Sequence, residues 1–549
     1  MKNWRLNFIL LLFLILGAAV IGRLVLIQVL KDDYYKALAQ GQQKLFKTLK
    51  GERGSIFFKD GTILATNIKV KKTYVSPIEI ENKEETAENL SMILSLEKSE
   101  IIEKINKENM FEEIKTGLTD FEVEELNKLK IPGVYITEES VRRYPQQFMA
   151  SQVVGFLGGE GIGQYGVEGY YDDILQGKEI LGKETMGVLA KGADIFLTLD
   201  YNIQYMAEKA LEGAKKELNI EGGTIIVVEP DSGRILAMAN YPNFDPNNYS
   251  EVTEFQAFQN SAVQKLYEPG SVFKVITMAG ALDKDKINPQ TSYVDTGQVK
   301  ITEKYTITNY NRRAYGQQTM TEVLEKSINT GAVFAERQLG NEFFLDYVKR
   351  FGFFESTGID LQGEVFSSNE ELKKGYEINF ATASFGQGIE VTPVQIIKAF
   401  CAIANGGRLI NPHIVEKIIN NGEIEEIKAE AERSSVISSK ALSQLTAMMI
   451  SAVENGFSKK AKVPGYYIAG KTGTSQISWS SLKVNKEGYS DKTWQSFIGF
   501  GPAYSAKFLI LIKLDNPEAN TAEYSAVPIF RELSKSIIDY LQIPPDYIE

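Results

Sequence analysis

The sequence predicts an α+β protein: a mostly antiparallel sheet flanked by helices, with an all-helical insertion, preceded by a smaller mixed region. Three observations predict it. The chain has 549 residues, too many for one ordinary domain, and 43% are hydrophobic, as in a folded protein. Apolar strand-like runs lie on both sides of a long block of helix-like segments. Hairpin signals, Asp231-Ser232-Gly233 and Asn421-Gly422, separate pairs of such runs.

Phe8 to Leu30 is apolar except at Arg23 and Gln28. At about 1.5 Å per residue it reaches roughly 35 Å, enough to cross a bilayer core of about 30 Å. Lys2 and Arg5 precede it, which puts residues 1–7 in the cytoplasm. The run reads as an uncleaved anchor. The other reading is a leader cut near Gly17, Ala18 and Ala19, but the apolar run continues to Ile27. On either reading, the chain beyond Lys31 lies outside the cytoplasmic membrane.

Residues 31–190 read as the mixed domain. "RGSIFFKDGTILATN" predicts a strand, a turn at Asp60-Gly61 and a second strand. Residues 83–130 carry Leu and Ile at helical spacing among Glu and Lys, which predicts short amphipathic helices. "RRYPQQFMASQVVGFLGGEGIGQYGVEGYYDDILQG" is Gly-rich and predicts loops. No strand leads a Gly-x-Gly-x-x-Gly into a helix there, so it is not a dinucleotide loop.

Residues 191–549 read as the larger domain. "ADIFLTLDYNIQYMAEKALEGAKKEL" predicts a strand and a long helix. "GGTIIVVEPDSGRILAMANY" predicts a hairpin. Helices follow at "SVFKVITMAGALD", "TMTEVLEKSINTGAVFAERQLG", "TPVQIIKAFCAIA" and "SKALSQLTAMMISAVENG", with a hairpin at "IVEKIINNGEIEEI". Three strands, "YYIAGKTGTSQI", "QSFIGFGPA" and "AKFLILIKLD", and a helix near "VPIFRELSKSIIDYL" close the chain.

Composition excludes several functions. A net charge of −11 without a basic face argues against nucleic acid as a partner. The single cysteine, Cys401, lies in apolar "IKAFCAIANGG" and reads as a buried thiol without an internal disulfide partner. The single histidine, His413, rules out a multi-histidine metal site, and no metal or cofactor is expected. A histidine-dependent triad would have to run through His413, so lysine is the natural base to look for beside a serine nucleophile.

Ser271 follows Glu268-Pro269-Gly270 and precedes Lys274 by three positions, which puts both side chains on one helix face. Alone, Ser-x-x-Lys more often means a capped helix with a solvated lysine. It also occurs at Ser95/Lys98 and Ser480/Lys483. Ser327-Ile328-Asn329 and Lys471-Thr472-Gly473-Thr474 follow in order. Their lookalikes, Ser367–Asn369 and Lys115–Gly117, lack the context: the first precedes charged "NEELKKG", and the second sits in a charged, helix-like stretch ahead of the nucleophile. The ordered trio is the pattern of penicillin-binding proteins and class A β-lactamases.

The chain resembles a class B, monofunctional penicillin-binding protein over nearly its whole length. "RGSIFFKDGTILA", "RRYPQQFMA" and "GQYGVEGYYDDILQG" are similar to the family's pedestal motifs. "LTLDYNIQ", "YEPGSVFK" and "FGQGIEVTPVQ" are similar to its transpeptidase signposts. Phe58-Lys59 replaces a usual Asp-Arg, and Gln147 replaces a usual glycine. The resemblance implies a transmembrane anchor at 8–30, an elongated dimerisation-type pedestal over 31–190, and a transpeptidase domain over 191–549. It implies a five-stranded sheet sandwiched by helices, with an all-helical subdomain.

The chemistry then has named parts. Neutral Lys274 takes the proton of Ser271. Lowering a lysine from about 10.4 to about 7 corresponds to roughly 4.6 kcal/mol, supplied by burial and by Lys471 nearby. Ser327 relays a proton towards the leaving amine, and Asn329 holds the substrate amide and orients Lys274. Strand 471–474 binds an extended peptide by strand addition. Gly473 permits close approach, Thr472 and Thr474 suit a terminal carboxylate, and Gln476 contacts the acyl side chain. By resemblance, the backbone N–H groups of Ser271 and Thr474 form the oxyanion hole. The implied donor is a D-Ala-D-Ala stem peptide of peptidoglycan, the acceptor an amine, and β-lactams are covalent inhibitors. The implied surroundings are the cytoplasmic membrane and a multi-pass glycan polymerase. The competing readings are a membrane-anchored carboxypeptidase or β-lactam hydrolase, and a catalytically dispensable scaffold.

Overall fold

The computed structural model describes residues 51–548 apart from 183–184 and 430. The predicted anchor at 8–30 and the tail before it lie outside the described residues. Among the described residues, no helix is long and apolar enough to cross a membrane. The chain separates into two compact units. The described part of the smaller one, residues 51–54 and 176–192, holds a hairpin of Lys178–Gly182 with Thr185–Ala190. The larger unit, Ser55–Leu175 with Ala193–Glu549, carries both main sheets.

The first strands follow the predicted turn. Strands β1 (Ile56–Phe57) and β2 (Ile63–Val75) are joined through Gly61, which has a φ of +89°. Such a left-handed turn position suits glycine. Helices α1 (Lys83–Leu94) and α2 (Lys98–Ile105) follow, then strand β3 (Glu112–Thr116), helix α3 (Asp120–Leu129) and strand β4 (Val134–Arg143). The region 83–130 is therefore not wholly helical. Lys115 of the second Lys-Thr-Gly lies on β3, whose central Ile114 is its one buried residue. The helices bury Leu90, Leu94, Ile101, Ile105 and Leu126 together with it.

The Gly-rich stretch is also more regular than the predicted loops. It forms short helices at Ser151–Val154, Gly166–Tyr170 and Asp172–Leu175 and a ribbon of Phe156–Leu157 with Gly163–Gln164. Gly155 and Gly166 serve close backbone packing: a Cβ on Gly166 would stand 2.3 Å from Val153 O. Arg142 Nε donates to Glu168 Oε1 at 2.8 Å inside this segment, and the Tyr144 hydroxyl donates to the same oxygen at 3.1 Å. Gln147 has a φ of +53°, the conformation that explains why glycine suits this position.

Strand β5 (Asp194–Leu197) leads through the Asp200 cap into α4 (Tyr201–Leu218), then β6 (Gly222–Glu229) and β7 (Arg234–Tyr241). Helix α5 (Lys274–Asp283) follows, then α6 (Met320–Glu325), α7 (Asn329–Leu339) and α8 (Pro393–Ala404). Next come strands β8 (Val415–Asn420) and β9 (Glu423–Glu426) and helix α9 (Ser439–Glu454). Strands β10 (Ala469–Ser478), β11 (Tyr489–Gly501) and β12 (Phe508–Asp515) and helix α10 (Ala526–Leu541) complete the chain.

The predicted five-stranded sheet has the order β7-β6-β12-β11-β10, all neighbours antiparallel. Both faces are covered. Ile225 and Val227 point to a core shared with α4 and α10, while Ile226 and Val228 join the core around α5 and α8. That is why β6 reads as a continuous apolar run and not as an alternation. The other sheet runs β9-β8-β5-β1-β2-β3, with β4 also on β2. Strands from either side of residue 190 thus share one sheet.

The insertion is not all-helical. It includes ribbons of Ser292–Asp295 with Gly316–Thr319, Gln298–Lys300 with Thr306–Thr308, and Arg408–Ile410 with Ala431–Ser435. These segments are too short and polar to carry a strand periodicity.

Candidate active site

Ser271 is not a helix cap. It lies inside a single 3₁₀ turn, Gly270–Phe273, which runs into α5. Every residue from Lys274 to Leu282 is buried, and α5 packs against α7 and α9, so tertiary burial holds this helix. Gly270 enters the turn with a φ of +58°, and a Cβ there would meet Thr474 O at 3.1 Å. The glycine therefore lets the Ser271 turn press against strand β10. Ser271 is half-buried, and Lys274 is 0% exposed.

The predicted face-sharing is observed, with Lys274 Nζ 3.0 Å from Ser271 Oγ. The same nitrogen lies 2.6 Å from Ser327 O, 2.8 Å from Asn329 Oδ1 and 3.3 Å from Ser327 Oγ. Carbonyl oxygens only accept, so the two nearest contacts take two N–H bonds. A neutral amine has two N–H bonds and one lone pair. The lone pair is then left for the hydroxyls, of which Ser271 is the nearer. Burial, and secondarily the Lys471 cation, hold Lys274 well below the ordinary lysine range.

Ser327 and Asn329 sit at the break between α6 and α7. Ser327 has a φ of +54°, a left-handed conformation that costs a serine about 1–2 kcal/mol. The break brings its carbonyl and its hydroxyl onto lysines. Asn329 donates through Nδ2 to Thr308 O at 3.1 Å, which fixes Oδ1 towards Lys274. Lys471 Nζ donates to Ser327 Oγ at 2.9 Å and to Thr472 O at 3.1 Å. Burial pushes Lys471 down to about 7. Two lysines distant in sequence thus meet on one serine hydroxyl.

Strand β10 is an edge of the five-stranded sheet. Thr474 O faces Gly270, on the side away from β11. A strand residue's N–H points the same way as its C=O, so Thr474 N–H also faces the Ser271 side. The Thr474 hydroxyl accepts from Ala522 N at 3.3 Å, the Thr472 hydroxyl lies 3.3 Å from Lys471 Nζ, and Gln476 is exposed and donates to Ser490 O at 3.3 Å. Gly473 has an internal reason for its smallness. A Cβ there would meet Ser496 Oγ at 2.4 Å and both Pro269 O and Val272 Cγ2 at 2.9 Å. Its smallness lets β10 lie against the Ser271 turn.

Sequence reasoning missed a clamp behind that turn. Ser475 Oγ donates to Glu268 O at 2.7 Å, while the Glu268 carboxylate accepts from Gly388 N and the Tyr489 hydroxyl, each at 3.1 Å. Burial pushes the Glu268 carboxyl up to about 7. An acid flanked by an aromatic and a Pro-Gly turn was the one available signal.

The lookalikes stay apart from this cluster. Ser95 and Lys98 end α1 and begin α2, with Lys98 paired to Glu84 and Glu88. Lys483 is in a loop, and Asn369 caps a one-turn helix. Cys401 is a buried free thiol, as predicted. Burial holds His413 below its ordinary pKa. Among the described residues, no group of His, Cys, Asp and Glu could hold a metal ion.

A family described as the penicillin binding protein transpeptidase domain matches residues 223–535, and the penicillin-binding protein dimerisation domain matches residues 48–200. The chain belongs to the class B penicillin-binding proteins. Similar members of known name include stage V sporulation protein D of Bacillus subtilis, 31% identical over 98% of this chain and 86% of that one. Peptidoglycan D,D-transpeptidase FtsI of Escherichia coli is 26% identical over 99% of this chain and 93% of its own. The crystal structure of penicillin binding protein 3 from Mycobacterium tuberculosis with aztreonam superposes with a TM-score of 0.71. It is 24% identical and covers 91% of this chain and 98% of that one, a likeness of fold. The two-domain α+β architecture of this penicillin-binding protein is that of the family: a dimerisation domain and a transpeptidase domain.

Proposed function

We propose that this penicillin-binding protein cross-links peptidoglycan stem peptides through a Ser271 acyl-enzyme. It is a serine-type D,D-transpeptidase of bacterial cell-wall synthesis. The observation that carries the assignment of roles is the position of Lys274 Nζ, 3.0 Å from Ser271 Oγ with two shorter contacts to carbonyl oxygens, which in the neutral amine take both N–H bonds and leave the lone pair for the hydroxyl.

Lys274 takes the Ser271 proton as Oγ attacks the D-Ala-D-Ala carbonyl. The N–H groups of Ser271 and Thr474 stabilise the oxyanion. Ser327, bonded to Lys471 at 2.9 Å, passes a proton to the departing D-alanine amine. Asn329 orients Lys274 and holds the donor's amide. The donor lies along β10, its carboxylate near Lys471, Thr472 and Thr474, its backbone along Gly473 and its acyl side chain near Gln476. An acceptor amine from a second stem then attacks the ester and releases Ser271. A β-lactam enters the same path and remains as the acyl-enzyme.

Residues 1–7 form a cytoplasmic tail, 8–30 a single membrane span, 31–190 the elongated pedestal and 191–549 the transpeptidase domain, which acts outside the cytoplasm. The apolar run after Lys2 and Arg5 supports this arrangement. A multi-pass glycan polymerase is the expected partner.

The test is labelling with a fluorescent penicillin, wild type against Ser271→Ala, followed by a stem-peptide assay with an acceptor amine. Label on wild type alone and a cross-linked product are expected. Label persisting on Ser271→Ala rejects the nucleophile, and free acid as the sole product rejects the transferase in favour of a carboxypeptidase.

A further inference from the structure

We infer that Asp295, a residue the catalytic steps do not use, is a positioning residue that sets the orientation of the Asn329 amide and through it the lone pair of Lys274. The inference rests on the role given above to Asn329.

Asp295 ends the ribbon strand Ser292–Asp295 and is 2% exposed. Its carboxylate accepts five hydrogen bonds. Oδ1 receives Gly297 N at 3.0 Å, Asn309 Nδ2 at 3.0 Å and Thr330 Oγ1 at 2.6 Å. Oδ2 receives Asn309 Nδ2 at 2.9 Å and Tyr315 N at 2.8 Å. An ionised carboxylate only accepts, and its lone pairs match these donors.

Two of the donors are neighbours of active-site groups. Asn309 directly follows Thr308, whose carbonyl receives the Asn329 amide at 3.1 Å. Thr330 directly follows Asn329, and Thr330 N donates to Asn309 Oδ1 at 3.1 Å. Asp295, Asn309 and Thr330 are all buried. Together they bolt the Thr308 carbonyl to the first turn of α7. With that carbonyl in place, Asn329 must present Nδ2 to it and Oδ1 to Lys274. With the carbonyl displaced, the amide is free to turn, and an amide NH₂ facing Lys274 competes with Ser271 for the lone pair.

Asp295→Asn tests this, because it keeps the shape and turns one acceptor into a donor aimed at donors. Acylation by a fluorescent penicillin is expected to slow about 10- to 100-fold, the range for a misplaced catalytic group, while every molecule still labels in time. The deciding readout is a cycle with Asn329→Ala. If Asp295 acts through Asn329, Asp295→Asn slows the Asn329→Ala enzyme no further. An equal slowing in both backgrounds overturns the inference, as does a wild-type rate in Asp295→Asn. If Asp295→Asn does not fold, Thr330→Val, which removes the 2.6 Å bond to Asp295 together with the hydroxyl's 3.2 Å contacts to Asn309 Oδ1 and the Tyr293 hydroxyl, takes its place in the same cycle with the same two overturning outcomes. Wild-type acylation by Asn329→Ala alone would instead refute the parent role of Asn329, so the two failures are distinguishable.

Discussion

Lys274 Nζ reaches Ser271 Oγ at 3.0 Å from a fully buried position, with its closer contacts to two carbonyl oxygens. The pH dependence of acylation follows from that relationship. Lys274 is lowered by burial and by Lys471, so its neutral form persists well below the ordinary lysine range. The second-order rate with a β-lactam should reach its plateau well below the ordinary lysine pKa and fall as pH drops through the depressed Lys274 pKa. An unshifted lysine, near about 10.4, would give a rate rising about tenfold per unit up to that point. A profile still climbing at pH 9 contradicts the assignment. The Glu268 carboxyl is pushed up to about 7 by burial, so the same profile on Glu268→Gln separates its titration from that of Lys274.

Removing Lys471 should move that acid limb. Its charge helps to depress Lys274, so Lys471→Ala raises the Lys274 pKa and shifts the limb to higher pH. Slower acylation at neutral pH accompanies the shift. A slowed enzyme whose limb has not moved would show that the two lysines are electrostatically independent.

Gly473→Ala inserts a methyl group 2.9 Å from Pro269 O and 2.4 Å from Ser496 Oγ. Overpacking of this kind costs about 1–3 kcal/mol. The strand must move off the nucleophile turn, so acylation should fall by about 10²-fold, beyond what the stability loss explains. Stability and acylation measured on one preparation decide it, and wild-type acylation contradicts the packing argument.

Glu168→Gln leaves Arg142 facing a neutral amide where the pair is 3% and 0% exposed. Breaking a buried pair costs about 3–5 kcal/mol. Chemical denaturation should record that loss, with penicillin acylation unchanged at temperatures where the protein stays folded. A change below about 1 kcal/mol would mean that water replaces the partner.

Gln147→Gly should stabilise the protein. A left-handed residue other than glycine costs about 1–2 kcal/mol, against about 0.5–1 for the entropy of glycine. A net gain of about 0.5–1 kcal/mol in unfolding free energy is expected. A loss would mean that the Gln147 side chain makes contacts worth more than its backbone conformation costs.

The strands of the five-stranded sheet, helix α4 and the helices around Ser271 were legible because each buries a regular apolar face. Strand β3 was not, because Ile114 alone is buried among charged neighbours whose spacing also suits a helix. The ribbons around Asp295 and Thr308 were not, because they are held by a buried polar network between segments far apart in the chain. Ser271, Lys274, Ser327, Asn329 and Lys471 were legible through the order of three short motifs, which local pattern carries. Glu268, Tyr489 and Asp295 belong to no such motif.

The sequence by itself determined the residue types, the motif order, the apolar N-terminal run and the shortage of histidine that points to lysine as the base. Only the tertiary structure decided that Lys274 and Lys471 meet on one hydroxyl, that Gly473 answers to Pro269 and Val272, and that Ser327 bends left-handed. The reason is physical. A pKa depends on what surrounds a charge, and a glycine on what faces its missing Cβ. Those neighbours are set by packing between segments that local periodicity does not relate.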